Sequence, residues 1–276
     1  MHARRSAYAE STLSDVTPPL PLPPLEMRQL VGPTDDAEYE NPSGDLIFPE
    51  LTPHEFAAVL DWGSGCGRIA RRLIQQRPRP GRYLGLDVHA GMINWCRSNL
   101  TPRAPAFEFV HHDVFELAFN PDATKAWMPL AADDDSFTLA IAWSVFTHVT
   151  EEHARRYLQE IRRVLRSDGV LVSTWFLFDK REFPMMQSFQ NALFVNDVHP
   201  TNAVIFDRTW LYEAARDAGL VVTRADPPTL RGFQWRIHLR PVESRAKVVE
   251  LPDDTAPYGS WTGPPLPSDA YRIGRV

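Results

Sequence analysis

Asp61 stands two residues ahead of the first of three alternating glycines in the stretch Val59-Leu60-Asp61-Trp62-Gly63-Ser64-Gly65-Cys66-Gly67-Arg68-Ile69-Ala70. An apolar run leads into these glycines and a helix-forming run leaves them, which predicts a strand-to-helix turn. Lacking Cβ atoms, they let the chain bend sharply and bring backbone N–H groups, with Ser64 and Arg68, up to a ligand at the mouth of the helix. A carboxylate at the strand tip suits a cation, and a helix N-terminus suits an anion. A ligand with an amino-acid tail, carrying both an ammonium and a carboxylate, satisfies the two together.

Two further acids fall at predicted strand ends: Asp87 after "RYLGL" and Asp113 in "HHDVFE". Each has a local alternative, since Asp61 could cap the loop's N–H groups and Asp87 the helix beginning near Ala90. Three acids on successive strand ends favour one shared ligand. A second reading remains open, because Gly65-Cys66-Gly67-Arg68-Ile69-Ala70 also has the G-x-G-x-x-A spacing of a dinucleotide loop, with Asp87 about twenty residues on. Asp61 separates the readings, as it would repel a pyrophosphate and attract an ammonium. Asp113 has no task in a dinucleotide site.

His148, in "WSVFTHV" after a predicted fourth strand, is the candidate general base, because imidazole accepts a proton near neutrality. The competing reading is a packing histidine at a helix start. His111 and His112 straddle the third strand's end, so one must face outward. Cys66 reads as a small space-filler rather than a nucleophile. Met92 and Trp95 suit the core, with Met92 near enough to the strand tip to line a pocket. Trp143, Phe146, Trp175, Phe176 and Phe178 could wall an acceptor or fill the core. No H-E-x-x-H or close carboxylate-histidine cluster calls for a metal.

These residues need an alternating scaffold to converge. Strands are predicted at 57–62, 82–88, 107–111, 137–143 and 170–176, with helices at 66–76, 90–100 and 151–166 between them. Such units give a parallel sheet with right-handed crossovers, covered on both faces. Residues 177–206 break the rhythm and read as a cap over the ligand crevice. A helix from Asp207 stops at Gly219, and two last strands form an antiparallel edge hairpin. Ahead of this domain (51–240) lies a Pro-rich extension, 1–50, in which Leu25 to Val31 is a short amphipathic turn stopped by Gly32-Pro33. It is a strap on the surface or a lid over the site. Residues 241–276 read as an irregular tail.

On these residues the chain resembles the class I S-adenosylmethionine-dependent methyltransferases, over roughly residues 56 to 240. "LDWGSGCGR" is similar to that family's acid-x-Gly-x-Gly-x-Gly motif, which implies that Asp61, Gly63, Ser64, Gly65, Gly67 and Arg68 hold the methionine end of S-adenosyl-L-methionine. The resemblance further implies that Asp87, beside Val88 and Met92, accepts from the ribose hydroxyls. It places Asp113 at the adenine amino group with Val114 against the ring, and Trp143 and Ser144 in the family's fourth motif. The implied fold is a Rossmann-like doubly wound sheet of seven strands. The implied reaction is methyl transfer to an oxygen or nitrogen of a small-molecule or glycan acceptor. An NAD(P)-dependent oxidoreductase or a non-catalytic cofactor-binding subunit is the alternative. Trp62 is bulkier than the family's usual residue, and Ser167-Asp168-Gly169 replaces its common Lys-Pro-Gly turn.

The 276 residues, 43% of them hydrophobic, suffice for a full core. A formal net charge of −6 argues against nucleic acid as a partner, since phosphate neutralisation needs clustered Lys and Arg. Arg71-Arg72 and Arg162-Arg163 read as solvated helix faces. Two cysteines without C-x-x-C spacing suit a reducing cytoplasm, and no apolar run is long enough to span a bilayer.

Overall fold

A computed structural model describes residues 20–196 and 198–257. The start of the Pro-rich extension and the end of the tail lie outside the described residues. The short turn expected at Leu25–Val31 is helix α1, ended by Gly32 at φ 102°. The alternating core then runs β1 (Ala58–Trp62), α2 (Arg68–Gln75), β2 (Arg82–Asp87), α3 (Ala90–Asn99), β3 (Phe107–His111), β4 (Phe137–Ala142), α4 (Glu151–Val164) and β5 (Leu165–Phe178). The segment expected as a cap holds β6 (Ala192–Phe194) and most of β7 (Val204–Asp207), followed by α5 (Arg208–Asp217), β8 (Leu220–Asp226) and β9 (Trp235–Pro241).

β1 to β5 pair in parallel in the order β3-β2-β1-β4-β5. β9 then lies antiparallel between β5 and β8, through Leu171↔Leu239 on one side and Val221↔Arg240 on the other. The predicted hairpin is therefore present, with β8 as its outer strand. The sheet has nine strands rather than the seven expected. β5 is long enough to change neighbours: Leu171–Trp175 pair with β9, while Phe176–Phe178 pair in parallel with β7, which carries β6. The two extra strands span three and four residues, too short to show a period-two pattern in sequence.

Alternate residues of each strand feed two cores. Leu60, Trp62, Leu84, Leu86, Ala140 and Ala142 pack under α4 and α5, whereas Val59, Tyr83, Leu139 and Ile141 pack under α2 and α3. Burial on both faces is why these strands read as continuous apolar runs. Trp62 fits here because its ring packs against Phe146 and Tyr157, with centroids at 5.3 and 4.2 Å. Phe146 and Trp175 stack at 4.0 Å with neither exposed, so both are core and not acceptor wall. Phe176 and Phe178, nearer the strand end, are only partly buried. No described helix is long and apolar enough to cross a membrane.

One local expectation is reversed. Arg71 is 1% exposed, so its face of α2 is buried under residues 20–47 and not solvated.

Candidate cofactor site

The carboxyl ends of β1, β2, β3 and β4 open on one edge of the sheet, and the strand order reverses between β1 and β4. That is the crevice where open α/β sheets bind ligands. The glycine loop lies across it. Gly63 and Ser64 both donate their N–H to the Leu86 carbonyl, at 2.7 and 3.0 Å, which ties the loop to the end of β2. Gly63 has φ +84°, and a Cβ there would collide with Val145 Cγ2. Only glycine admits both the backbone angle and the neighbour.

Asp61 is fully buried at the tip of β1. Its Oδ2 accepts from the Tyr83 hydroxyl at 2.6 Å, while Oδ1 is buried with no partner among the described residues. Burial is the main cause of a carboxyl pKa pushed up to about 7, partly opposed by the Tyr83 hydrogen bond and reinforced by Asp87. A buried acceptor without a donor costs stability. An ammonium would satisfy it and restore the charged form.

Asp87, at the end of β2, accepts from Gly65 N–H at 2.7 Å and from His89 N–H at 2.8 Å, one on each carboxylate oxygen. Burial raises its pKa against those two donors. Each oxygen keeps a lone pair, so the side chain both fixes the loop and can accept from vicinal hydroxyls. Asp113 is exposed beyond β3 and accepts from Asn120 Nδ2 at 3.1 Å, beside the buried Val114. Val88 is half-buried, and its carbonyl accepts from His111 Nε2 at 2.9 Å. His112 is the buried member of that pair, bonded to Tyr157 OH at 2.8 Å. Met92 is buried with Tyr39 and Cys66 behind the glycine loop. Arg68, at the start of α2, stands 4.0 Å from Glu38.

After β4 the chain is strained at Ser144, a non-glycine residue with φ +57°. Its N–H donates to Thr174 Oγ1 at 2.7 Å and its hydroxyl to Gln234 Oε1 at 3.0 Å. Strain held by two hydrogen bonds is a mark of a functional turn. Trp143 stacks on Phe48 at 6.0 Å. His148 is exposed at the end of the next short helix, and its Nδ1 lies 3.0 Å from the Thr201 carbonyl. A carbonyl only accepts, so Nδ1 carries the proton and Nε2 is left bare.

Tyr83 and Gln234 were not foreseen from sequence. Tyr83 had a signal: it stands beside Val59 in register, on the same face as Asp61 two pairs further along. Gln234 comes from the β8–β9 connection, which no pattern in sequence brings to β4. Elsewhere, Glu50, Asp226 and His238 converge within 4.8 Å. Arg236 already bridges the two carboxylates, at 3.3 Å from Glu50 and 2.7 Å from Asp226, and supplies the positive charge there.

The strand order and flanking helices define a Rossmann-like fold, with Asp61, Asp87 and Asp113 at or just past the ends of β1, β2 and β3. Residues 59–169 match the family described as a methyltransferase domain. An uncharacterized methyltransferase of Schizosaccharomyces pombe is 25% identical over 155 residues, 53% of this chain and 52% of that one. The phthiotriol/phenolphthiotriol dimycocerosates methyltransferase of Mycobacterium tuberculosis is 31% identical over 107 residues, 39% of this chain and 32% of that one. The chain thus spans about half the length of the first relative and about a third of the second. Among solved structures, the 1,6-didemethyltoxoflavin-N1-methyltransferase of Burkholderia thailandensis aligns with a TM-score of 0.46 at 18% identity, covering 67% of this chain and 71% of that one. Over residues 59–169 the chain is thus similar to a methyltransferase domain.

Proposed function

We propose that the protein transfers a methyl group from S-adenosyl-L-methionine to an oxygen or nitrogen of a small-molecule or glycan acceptor. The observation that carries this reading is the buried, unpartnered Oδ1 of Asp61 directly behind the glycine loop. Such an atom has no use in a pyrophosphate site and suits the cofactor's ammonium. Asp87 would take the ribose hydroxyls, Asp113 the adenine amino group with Val114, Val88 and Met92 around the nucleoside, and the α2 N-terminus with Arg68 the carboxylate. Trp143 and Ser144, in the turn after β4, would lie beside the reacting end.

When bound, the cofactor supplies an electrophilic methyl on a positive sulfur. The chain's own work is alignment and exclusion of water. Where the acceptor is a hydroxyl, Nε2 of His148 takes its proton, the tautomer being set by the Thr201 carbonyl. An amine acceptor needs only to be held. The acidic net charge favours a small acceptor over nucleic acid, and two free, buried cysteines suit a cytoplasmic setting.

Turnover tests the proposal. Conversion of S-adenosylmethionine to S-adenosylhomocysteine should depend on one of a panel of hydroxyl- and amine-bearing metabolites and sugars, and be lost in Asp87→Ala. A panel that gives turnover with NADH and no methyl transfer would reject it.

A further inference from the structure

One guanidinium joins two points of the chain that are far apart in sequence. Arg71, in the first turns of α2 just past the glycine loop, donates through one nitrogen to the Pro21 carbonyl and through another to the Glu40 carboxylate. Gln75, one helical turn on, also donates to Glu40, at 2.7 Å. The two contacts close the base of the loop of residues 22–39. Beyond Glu40 the chain stays fixed to α2: Asn41 N–H donates to Gln75 Oε1 at 2.7 Å, and Ile47 N–H to Gln76 Oε1 at 2.9 Å.

Within that loop, α1 lies over the glycine turn. Val31 Cγ1 is 2.9 Å from where a Cβ on Gly65 would stand, so the helix is seated on the loop that binds the cofactor. Leu22, Met27 and Val31 pack on Tyr39, Cys66 and Met92, and the Tyr39 hydroxyl donates to the Pro33 carbonyl at 3.1 Å.

α1 itself is held by Met27 and Val31 on that small cluster and by Arg28, whose guanidinium lies over the Tyr39 ring and donates to the Thr34 carbonyl and the Asp36 carboxylate of the same loop. None of the helix's residues is fully buried, its N-cap Pro24 offers no side-chain bond, and Leu25 and Leu30 are half exposed. Its C-cap Gly32, at φ 102°, has no described atom within 4 Å of where a Cβ would stand. A weakly packed helix between two firmly tied ends opens locally at low cost. Short, closed ends also bring it back quickly, because closure entropy grows with the length of free chain.

We propose that Arg71 is a positioning residue for the cofactor. It clasps the base of loop 22–39 so that α1 serves as a lid on the glycine loop, opening for the nucleoside to enter and slowing its escape. The inference rests on the cofactor reading above. Lysine at 71 keeps a charge but can hold only one end, and Glu40→Gln removes the charged partner while leaving the exposed side of the site intact.

The test is the release rate of S-adenosylhomocysteine, with amide exchange at residues 25–31. Wild type should release slowly and show those amides protected on binding. Arg71→Lys and Glu40→Gln should release about tenfold faster, the expected consequence of losing one charge-assisted bond, and lose that protection. Glu55→Gln is the control: it breaks the Glu55–Arg240 pair on β9, away from the loop. It should lower the melting temperature with no change in release. Equal release rates in all four proteins, or residues 25–31 indifferent to the ligand, overturn the lid while leaving the cofactor reading standing. A wild type that does not bind S-adenosylhomocysteine overturns both.

Discussion

The Tyr83 hydroxyl reaches across from β2 to donate to Asp61 Oδ2 at 2.6 Å, and so decides which oxygen of that carboxylate is left for a ligand. The other oxygen, Oδ1, is buried behind the glycine turn with no partner among the described residues. Burial holds the carboxyl near pH 7 instead of in the usual acidic range. An ammonium ligand therefore competes with a proton for the same group. Affinity for S-adenosylmethionine should rise as pH increases through about 7 and then level off. In Asp61→Asn the affinity should fall about tenfold or more and lose this pH dependence. Titration calorimetry between pH 6 and 8.5 checks both, and an unchanged affinity in the variant excludes Asp61 from the site.

The same shift has a sign for stability. A carboxyl raised in the folded state binds its proton more tightly there than in the unfolded chain, so its contribution falls as pH climbs from about 4 to about 7. Asp61→Asn keeps an acceptor for Tyr83 and removes the buried charge. Its ligand-free form should melt higher than wild type at pH 8 and close to it at pH 4.5. A variant that melts lower at pH 8 would show that the charge is paired within the protein.

Buried histidines act in the opposite direction. Burial holds His112, and likewise His238, down to about 4. The unfolded imidazoles take protons near 6.5, so stability present above that pH is lost as it falls towards 4. His112→Gln retains a partner for the Tyr157 hydroxyl and removes one titration. Its melting temperature should change less steeply between pH 6.5 and 4.5 than that of wild type. Parallel curves would contradict the assignment.

Gly63→Ala places a methyl against Val145 at a backbone angle that L-residues rarely adopt. Left-handed strain and overpacking together cost about 2–4 kcal/mol. Urea denaturation should show that loss, and adding Val145→Ala should recover the packing part but not the strain. A neutral Gly63→Ala would mean that the turn is free to relax.

Asp87→Ala removes the acceptor for two backbone N–H groups and, under the proposed function, for the ribose. With hydrogen bonds to a charged group worth about 1.5–3 kcal/mol each, cofactor affinity should fall on the order of 100-fold. The fall should far exceed that for Asp113→Ala, because Asp113 is exposed and solvent can replace its bond.

Much of this site was legible in the sequence because it is local. Asp61, the three glycines and Asp87 lie within two adjacent strands and one turn, and periodicity places each at a strand end. The parallel pairing of β1 to β5 followed from alternating strand and helix patterns, though not their order. What escaped is what depends on distant packing. Arg71 reads as one more cation on an amphipathic helix until Pro21 and Glu40 fold back onto it. β6 and β7 are too short for a pattern. Gln234 meets Ser144 only because β9 inserts between β5 and β8. Phe146 and Trp175 were open between core and acceptor wall, and only their stacking decided for the core.

The most direct test of the central claim is titration calorimetry of the purified protein with S-adenosylhomocysteine, alongside NADH. The account predicts one site, with a dissociation constant on the order of 1 μM to 1 mM, weakened in both Asp61→Asn and Asp87→Ala, and no heat with NADH. Binding of NADH with none of the sulfur nucleoside at millimolar concentration would contradict it.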